Sequence, residues 1–272
     1  MNLKTFFLFL ILGLSSLRLL AGNDNLPVGA TQAALAGGGM CISDLWSVSS
    51  NQAALTGLKN PEVGVFVAQP FMVKELSRTA FAAALPQKWG VVAVSYNRQG
   101  YKLYRDSKLG LAYARSFGPR FSAALQLNYL SVFIGENYGS RGTIAAEASL
   151  MAELTPRLKL GFHLFNPTKA GMADYNNEKV PTIGKLGLGY TISAKLHALI
   201  EVEKDLNNKP VVRAGVEYFP VKFLYIRAGV SSNPSLNAAG FGLQWKKVKL
   251  DMAASFHPQL GYTPNLGLLY SF

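Results

Sequence analysis

The chain has 272 residues, 49% of them hydrophobic and 15% charged, with 27 Lys and Arg against 15 Asp and Glu for a formal charge of +12. That apolar share excludes a disordered chain, and a single cysteine, Cys41, excludes an internal disulfide framework. The cations are spread over turns and one face of strands instead of clustering, which argues against nucleic acid as a partner.

At the N-terminus, Lys4 precedes an apolar run from Phe6 to Leu14, and the small residues Ala21 and Gly22 follow. This is the layout of a cleaved secretory signal over residues 1–21. A membrane anchor is the competing reading, but Ser15, Ser16 and Arg18 interrupt the run well short of the roughly 20 apolar residues a spanning helix needs. No later segment suits such a helix. An exported chain of this kind is either soluble outside the cytoplasm or a β-barrel of an outer membrane.

Residues 22–60 form a distinct segment, alanine-rich and punctuated by glycine, with Asp44 the one charge between residues 27 and 58. Asp44 is placed to cap a short helix, and Gly37, Gly38 and Gly39 allow a sharp turn or a close backbone contact. The segment reads either as a solvated leader or as a compact plug. Its small apolar residues, with Trp46 as a candidate for burial, favour the plug.

From residue 61 to 272 the chain falls into segments of roughly ten residues with alternating hydrophobicity, each closed by turn residues, the pattern of a transmembrane antiparallel β-barrel. Fourteen strands are expected, at 62–72, 76–86, 90–100, 104–117, 120–134, 141–154, 157–166, 182–192, 195–205, 209–219, 222–232, 237–246, 247–257 and 262–272. Tight turns such as PQKWG, GPR, TPR and PVK alternate with longer polar connections, as periplasmic turns alternate with outer loops in such barrels. A soluble sandwich or lipocalin also alternates, but its outward face is polar where this one is leucine and aromatic.

The stretch LGLGY, Leu186 to Tyr190, is echoed as LGLAY from Leu109 and LGLLY from Leu266. In a strand the leucines share one face and the glycines the other, so the leucines are expected to meet lipid and the tyrosines to lie at headgroup level. Tyr113, Tyr190, Tyr218, Trp245 and Tyr270 then form an aromatic girdle. Gly110, Gly187, Gly189, Gly215, Gly229, Gly242 and Gly267 face the lumen, a row of bare positions with room for something to pack inside. The terminal aromatic Phe272 resembles the C-terminal signal of bacterial outer-membrane proteins.

The same alternation puts Glu147, Glu153, Lys185, Glu201, Glu203, Arg213, Glu217, Arg227 and Asp251 in the lumen, with Glu201, Arg213 and Arg227 within pairing range on neighbouring strands. They read either as a structural charge ladder or as a polar constriction for a solute, the ladder being the commoner arrangement in barrels. An outer-membrane lipid-modifying enzyme is the competing class, and a purely structural barrel is a further one. Of the three histidines, His163 and His197 fall on lumen faces and His257 at a strand end, none in a serine or cysteine motif, so no catalytic residue is assigned. The dispersed histidines and lone cysteine give no metal site, the glycines at 37–39 lack the Lys-Ser or Lys-Thr of a phosphate loop, and no cofactor is expected.

The opening segment resembles that of the FadL-like outer-membrane barrels, and within them the PorV and PorQ branch linked to type IX secretion. That branch carries a glycine pair followed by an Asn-Pro-Ala-Gly-Leu signature. Gly38 and Gly39 match the pair, Asn51, Ala53 and Leu55 match the signature, and Gln52 and Ala54 depart from it. The resemblance implies a barrel of fourteen strands with an N-terminal hatch in the outer membrane of a Gram-negative bacterium. Its implied partners are the lipid bilayer and lipopolysaccharide, with either a secretion complex or secreted protein, or a small hydrophobic molecule, as cargo.

Overall fold

The computed structural model describes residues 27–136, 139–172, 180–206 and 208–272. The expected signal, 1–21, and the first residues of the expected hatch, 22–26, lie outside the described residues.

Fourteen strands follow one another along the chain. The first seven are β1 (Glu62–Ala68), β2 (Arg78–Gln87), β3 (Gly90–Gly100), β4 (Tyr104–Ser116), β5 (Phe121–Ile134), β6 (Gly139–Thr155) and β7 (Leu158–Phe165). The second seven are β8 (Ile183–Ser193), β9 (Leu196–Asp205), β10 (Val211–Val221), β11 (Leu224–Ser231), β12 (Leu236–Trp245), β13 (Val248–His257) and β14 (Gly261–Ser271). Each pairs antiparallel with the next, and β1 pairs with β14 from Glu62↔Ser271 to Ala68↔Asn265, so the sheet closes into a barrel without free edges.

Alternation explains which face is which. On β4 and β5, Leu109, Leu111, Leu125 and Leu127 stand exposed on the outer wall, while Ala112, Ala114, Gln126 and Asn128 are buried inside. An outer wall of leucine, isoleucine, valine and aromatic rings is the surface a hydrocarbon medium stabilises. No helix among the described residues is long and apolar enough to cross a membrane.

Tight hairpins define one end of the barrel, and each of its six turns carries an exposed cation: Lys88, Arg120, Arg157, Lys195, Lys222 and Lys246. Tyr113, Tyr190, Tyr218, Trp245 and Tyr270 are exposed on the outer wall near these turns. Tyr113 stacks on Trp89 and donates its hydroxyl to the Trp89 carbonyl at 2.7 Å.

The first strand differs from the sequence expectation. A strand over 62–72 is not formed; β1 stops at Ala68, and two 3-10 turns, Pro70–Met72 and Lys74–Leu76, precede β2. Pro70 has no N–H to give the ladder, and Phe71 and Met72 take φ of 54° and 61°, outside any strand conformation. The other thirteen strands begin and end within two residues of the expected positions.

Residues 27–58 lie inside the barrel as a helix, α1 (Ala30–Ala34), and two 3-10 turns, Leu45–Ser49 and Gln52–Gly57. Asp44 caps the first turn: Ser47 N–H donates to Oδ1 at 3.1 Å, and Asp44 N–H donates to Ser47 Oγ at 3.1 Å. Leu45, Trp46, Val48 and Leu55 pack with Phe66, Ala82 and Ala112 of the wall, with Trp46 and Phe66 rings 5.8 Å apart.

Candidate functional site: the hatch and its luminal anchors

Small luminal residues give the inner segment its seat. A Cβ on Gly187 would lie 2.6 Å from Met40 Cβ, one on Gly189 2.6 Å from Cys41 Cβ, and one on Gly215 2.8 Å from Leu35 Cδ2. At Gly229 it would collide with the Leu35 backbone, and at Gly267 it would touch Ala30 at 3.5 Å. Gly110 and Gly242 behave differently: Gly110 faces the side chains of Ser95, Gln126 and Asn128, and Gly242 faces Asp251 and Arg227. The void left by missing side chains is therefore filled by the segment at five positions and by the wall's own polar groups at two.

Three charge clusters line the same interior. In the first, the wholly buried Glu147 of β6 accepts hydrogen bonds from Lys108 Nζ, from Gln52 Nε2, from His163 Nε2 at 2.8 Å and from Asn128 Nδ2 at 2.9 Å. A carboxylate taken from water is tolerated only with this density of donors. Gln52 belongs to the inner segment, so Glu147 ties it to the wall.

The second cluster makes the corresponding tie on the other side. Glu201 Oε2 accepts the backbone N–H groups of Gly39 at 3.1 Å and Met40 at 3.3 Å. Its Oε1 lies 3.4 Å from Arg213 Nη1, which also reaches Glu203 at 2.9 Å, and Lys185 pairs with Glu203 at 3.0 Å. In the third, Arg227 bridges Glu217 and Asp251, with Lys249 3.4 Å from Asp251. Arg227 thus pairs away from Glu201, because the register sets it opposite Glu217. Glu153 pairs with Lys159 near the tight turns.

The motif residues of the inner segment also find definite partners. Gly38 approaches Leu199, and Asn51 Nδ2 donates to the Met40 carbonyl at 2.8 Å and the Leu150 carbonyl at 3.2 Å. Ala53 N–H donates to Ser149 Oγ at 3.0 Å, and Leu55 is fully buried. Lys108, Gln126 and Asn128 were not singled out from the sequence, and Gln52 stood out there only as a departure from the signature. The available signal was a polar side chain on the inward phase of an otherwise apolar or small strand, as at Lys108 two positions before Gly110.

Below the segment, toward the tight turns, lies a cavity of about 400 Å³. The underside of the segment forms one wall through Thr31, Cys41, Ile42, Asp44 and Leu58, and the barrel supplies Leu199, His197, Phe219, Tyr225, Lys247 and Lys249 among others. Burial pushes the Cys41 thiol up to about 12, with Glu201 adding to the effect. Burial likewise raises the Asp44 carboxyl above its usual range, which Lys249 counteracts.

His163 is held by Glu147, His197 packs edge-on against Phe219 at 5.0 Å, and His257 Nδ1 accepts the N–H groups of Gln259 and Leu260. Among the described residues no group of three or more His, Cys, Asp or Glu stands together to hold a metal.

No protein-family model matches the chain, and no curated protein matches its sequence. Solved structures do match its fold. The CymD monoaromatic hydrocarbon channel superposes with a TM-score of 0.74 at 12% identity, over 92% of this chain and 99% of that one. The Ralstonia pickettii toluene transporter TbuX gives 0.67 at 10% identity, over 91% and 99%. A Pseudomonas aeruginosa FadL homologue gives 0.61 at 11% identity, over 90% and 97%. The chain therefore shares the fold of FadL-like barrels, along nearly its whole length.

Proposed function

We propose that the protein is an outer-membrane barrel that passes small hydrophobic molecules, with residues 27–58 as the hatch that closes its lumen, and that it carries out no chemistry of its own. The observation that carries this reading is the pairing of an apolar outer wall with an interior filled by a separate segment. That segment is held by side-chain packing and by the Glu147 and Glu201 hydrogen bonds, with no covalent bond to the wall among the described residues. Structures of this fold described as hydrocarbon channels and toluene transporters support the choice of cargo class. On this reading the three charge clusters are structural, since they are internally paired and anchor the hatch.

A role as an accessory to protein secretion rests on the residues from Gly38 to Leu55 that resemble the PorV and PorQ signature. The two roles part in one experiment, uptake of labelled toluene by Gram-negative cells producing the protein, measured beside vector-only cells. An intact outer membrane is needed, because a plain phospholipid bilayer passes toluene unaided. Faster uptake is expected. Unchanged uptake, with the protein folded in the outer membrane and co-purifying with a secretion complex, would replace transport by the accessory role.

A further inference from the structure

The six tight turns are one-sided in charge. Their sequences, QKWG, SFGPRF, TPRL, SAKL, VKFL and WKKV, hold no Asp or Glu. Lys88, Arg120, Arg157, Lys195, Lys222 and Lys246 are all exposed there, and none of them has an ion-pair partner among the described residues. Lys59 and Lys247 stand exposed at the same end. Of the wall's acids near this end, Glu153 is paired with Lys159, and Glu217 and Asp251 with Arg227, which leaves Glu62 at the start of β1. The opposite end mixes the signs, with Glu75 and Glu136 in its connections beside Lys74 and Lys102.

Exposed rings adjoin these cations. Trp89 follows Lys88, Phe117 and Phe121 flank Arg120, Phe223 follows Lys222, and Trp245 precedes Lys246, whose Nζ lies 5.4 Å from its ring centroid. Trp89 stacks on the outward Tyr113, and Phe121 and Trp245 are on the outward phase of their strands, so these rings face sideways from the barrel and not along its axis. Rings in that position are stabilised at the glycerol level of a bilayer, from which a neighbouring lysine or arginine reaches the phosphates. We propose that the turns form a collar for the headgroups of anionic phospholipid, of the phosphatidylglycerol type, in the leaflet at this end of the barrel. Cations in every one of the six hairpins meet a lipid annulus all the way round. An acidic soluble protein docked across the mouth would leave the sideways rings in water. The collar rests on the membrane placement of the barrel and is independent of its cargo.

The test is electron paramagnetic resonance of spin-labelled phosphatidylglycerol and phosphatidylcholine around the full-length protein in phosphatidylcholine vesicles, where lipid held at the protein surface gives a motionally restricted signal. One cation beside one headgroup contributes about 1 kcal/mol, or about fivefold, which reads as a preference of about threefold for phosphatidylglycerol when averaged with the opposite leaflet. At about 1 M salt, with a screening length of about 3 Å, the two lipids should associate nearly equally. Exchanging all six turn cations for Gln should abolish the low-salt preference. Lys88→Gln, Arg157→Gln and Lys222→Gln together should lower it in part and serve if the sixfold variant folds poorly, whereas Lys74→Gln, Lys102→Gln and Lys209→Gln at the opposite end should leave it as in wild type. Equal association of the two lipids with wild type, the result a ring built for an acidic protein would give, overturns the collar. So does a preference that the turn substitutions leave unchanged. The barrel, read by heat-modifiable migration, stands in either case.

Discussion

Replacing Glu201 by alanine removes the acceptor that holds the glycine-pair turn of the hatch. Two backbone N–H groups, of Gly39 at 3.1 Å and Met40 at 3.3 Å, lose their partner in a site that water does not reach freely. A hydrogen bond to a charged group contributes about 1.5 to 3 kcal/mol, and the longer of these two belongs at the low end, so together they give about 3 kcal/mol. That shifts the balance between docked and displaced hatch by about a hundredfold. In planar bilayers, wild type should be closed or nearly so, and Glu201→Ala should raise the frequency of high-conductance openings by that order. Glu203→Ala is the control: Glu203 pairs with the same Arg213, at 2.9 Å, but has no hydrogen bond to the hatch, so its traces should stay near wild type. Indistinguishable traces for wild type and Glu201→Ala, with both migrating as folded barrels, would refute the latch.

Deleting residues 27–58 should give a larger and steadier conductance than Glu201→Ala, and unchanged conductance would reduce the segment to a leader. Leu188→Arg places a charge on the outer wall and should cost about 2 to 4 kcal/mol near a bilayer midplane, whereas Gly187→Leu acts inward by displacing Met40; unfolding followed by heat-modifiable migration reads both, and equal tolerance would contradict the faces. Lys108→Met breaks the buried pair with Glu147 and should cost roughly 3 kcal/mol, with Glu147→Gln in the same chain recovering part of it; no recovery would mean the pair is not the unit. Because burial pushes the Cys41 thiol up to about 12, almost none is thiolate at pH 7.5, and maleimide should label it far more slowly than a cysteine introduced by Asn60→Cys on the surface. Equal rates would show Cys41 open to solvent.

The strands were legible because a period of two is written into each of them and a membrane-facing wall sharpens the contrast between leucine outside and glycine or alanine inside. The departure at 69–77 was legible only in part: Pro70 signals a break, but left-handed Phe71 and Met72 carry no sequence mark. Asp44 could be read as a cap because its partner Ser47 is three residues away. The Glu201 bond to the Gly39 and Met40 amides could not, since it joins positions whose nearness depends on closure of the whole sheet. Gln52 shows the limit of motif comparison: it departs from a proline of the signature, and that departure supplies the side chain that reaches Glu147.

The seating of the hatch has a consequence for the order of assembly. Its anchors lie far along the chain, 95 residues from Gln52 to Glu147 and 162 from Gly39 to Glu201, and its Leu35 rests against Gly229 later still. The earliest of the described residues to be synthesised thus acquire their resting place only after β11 has taken its position. Contacts so remote in sequence form late and slowly. A barrel in progress therefore spends time with its interior unfilled, and until the late strands are in place the segment lacks the seats that Gly187, Gly189, Gly215 and Gly229 give it.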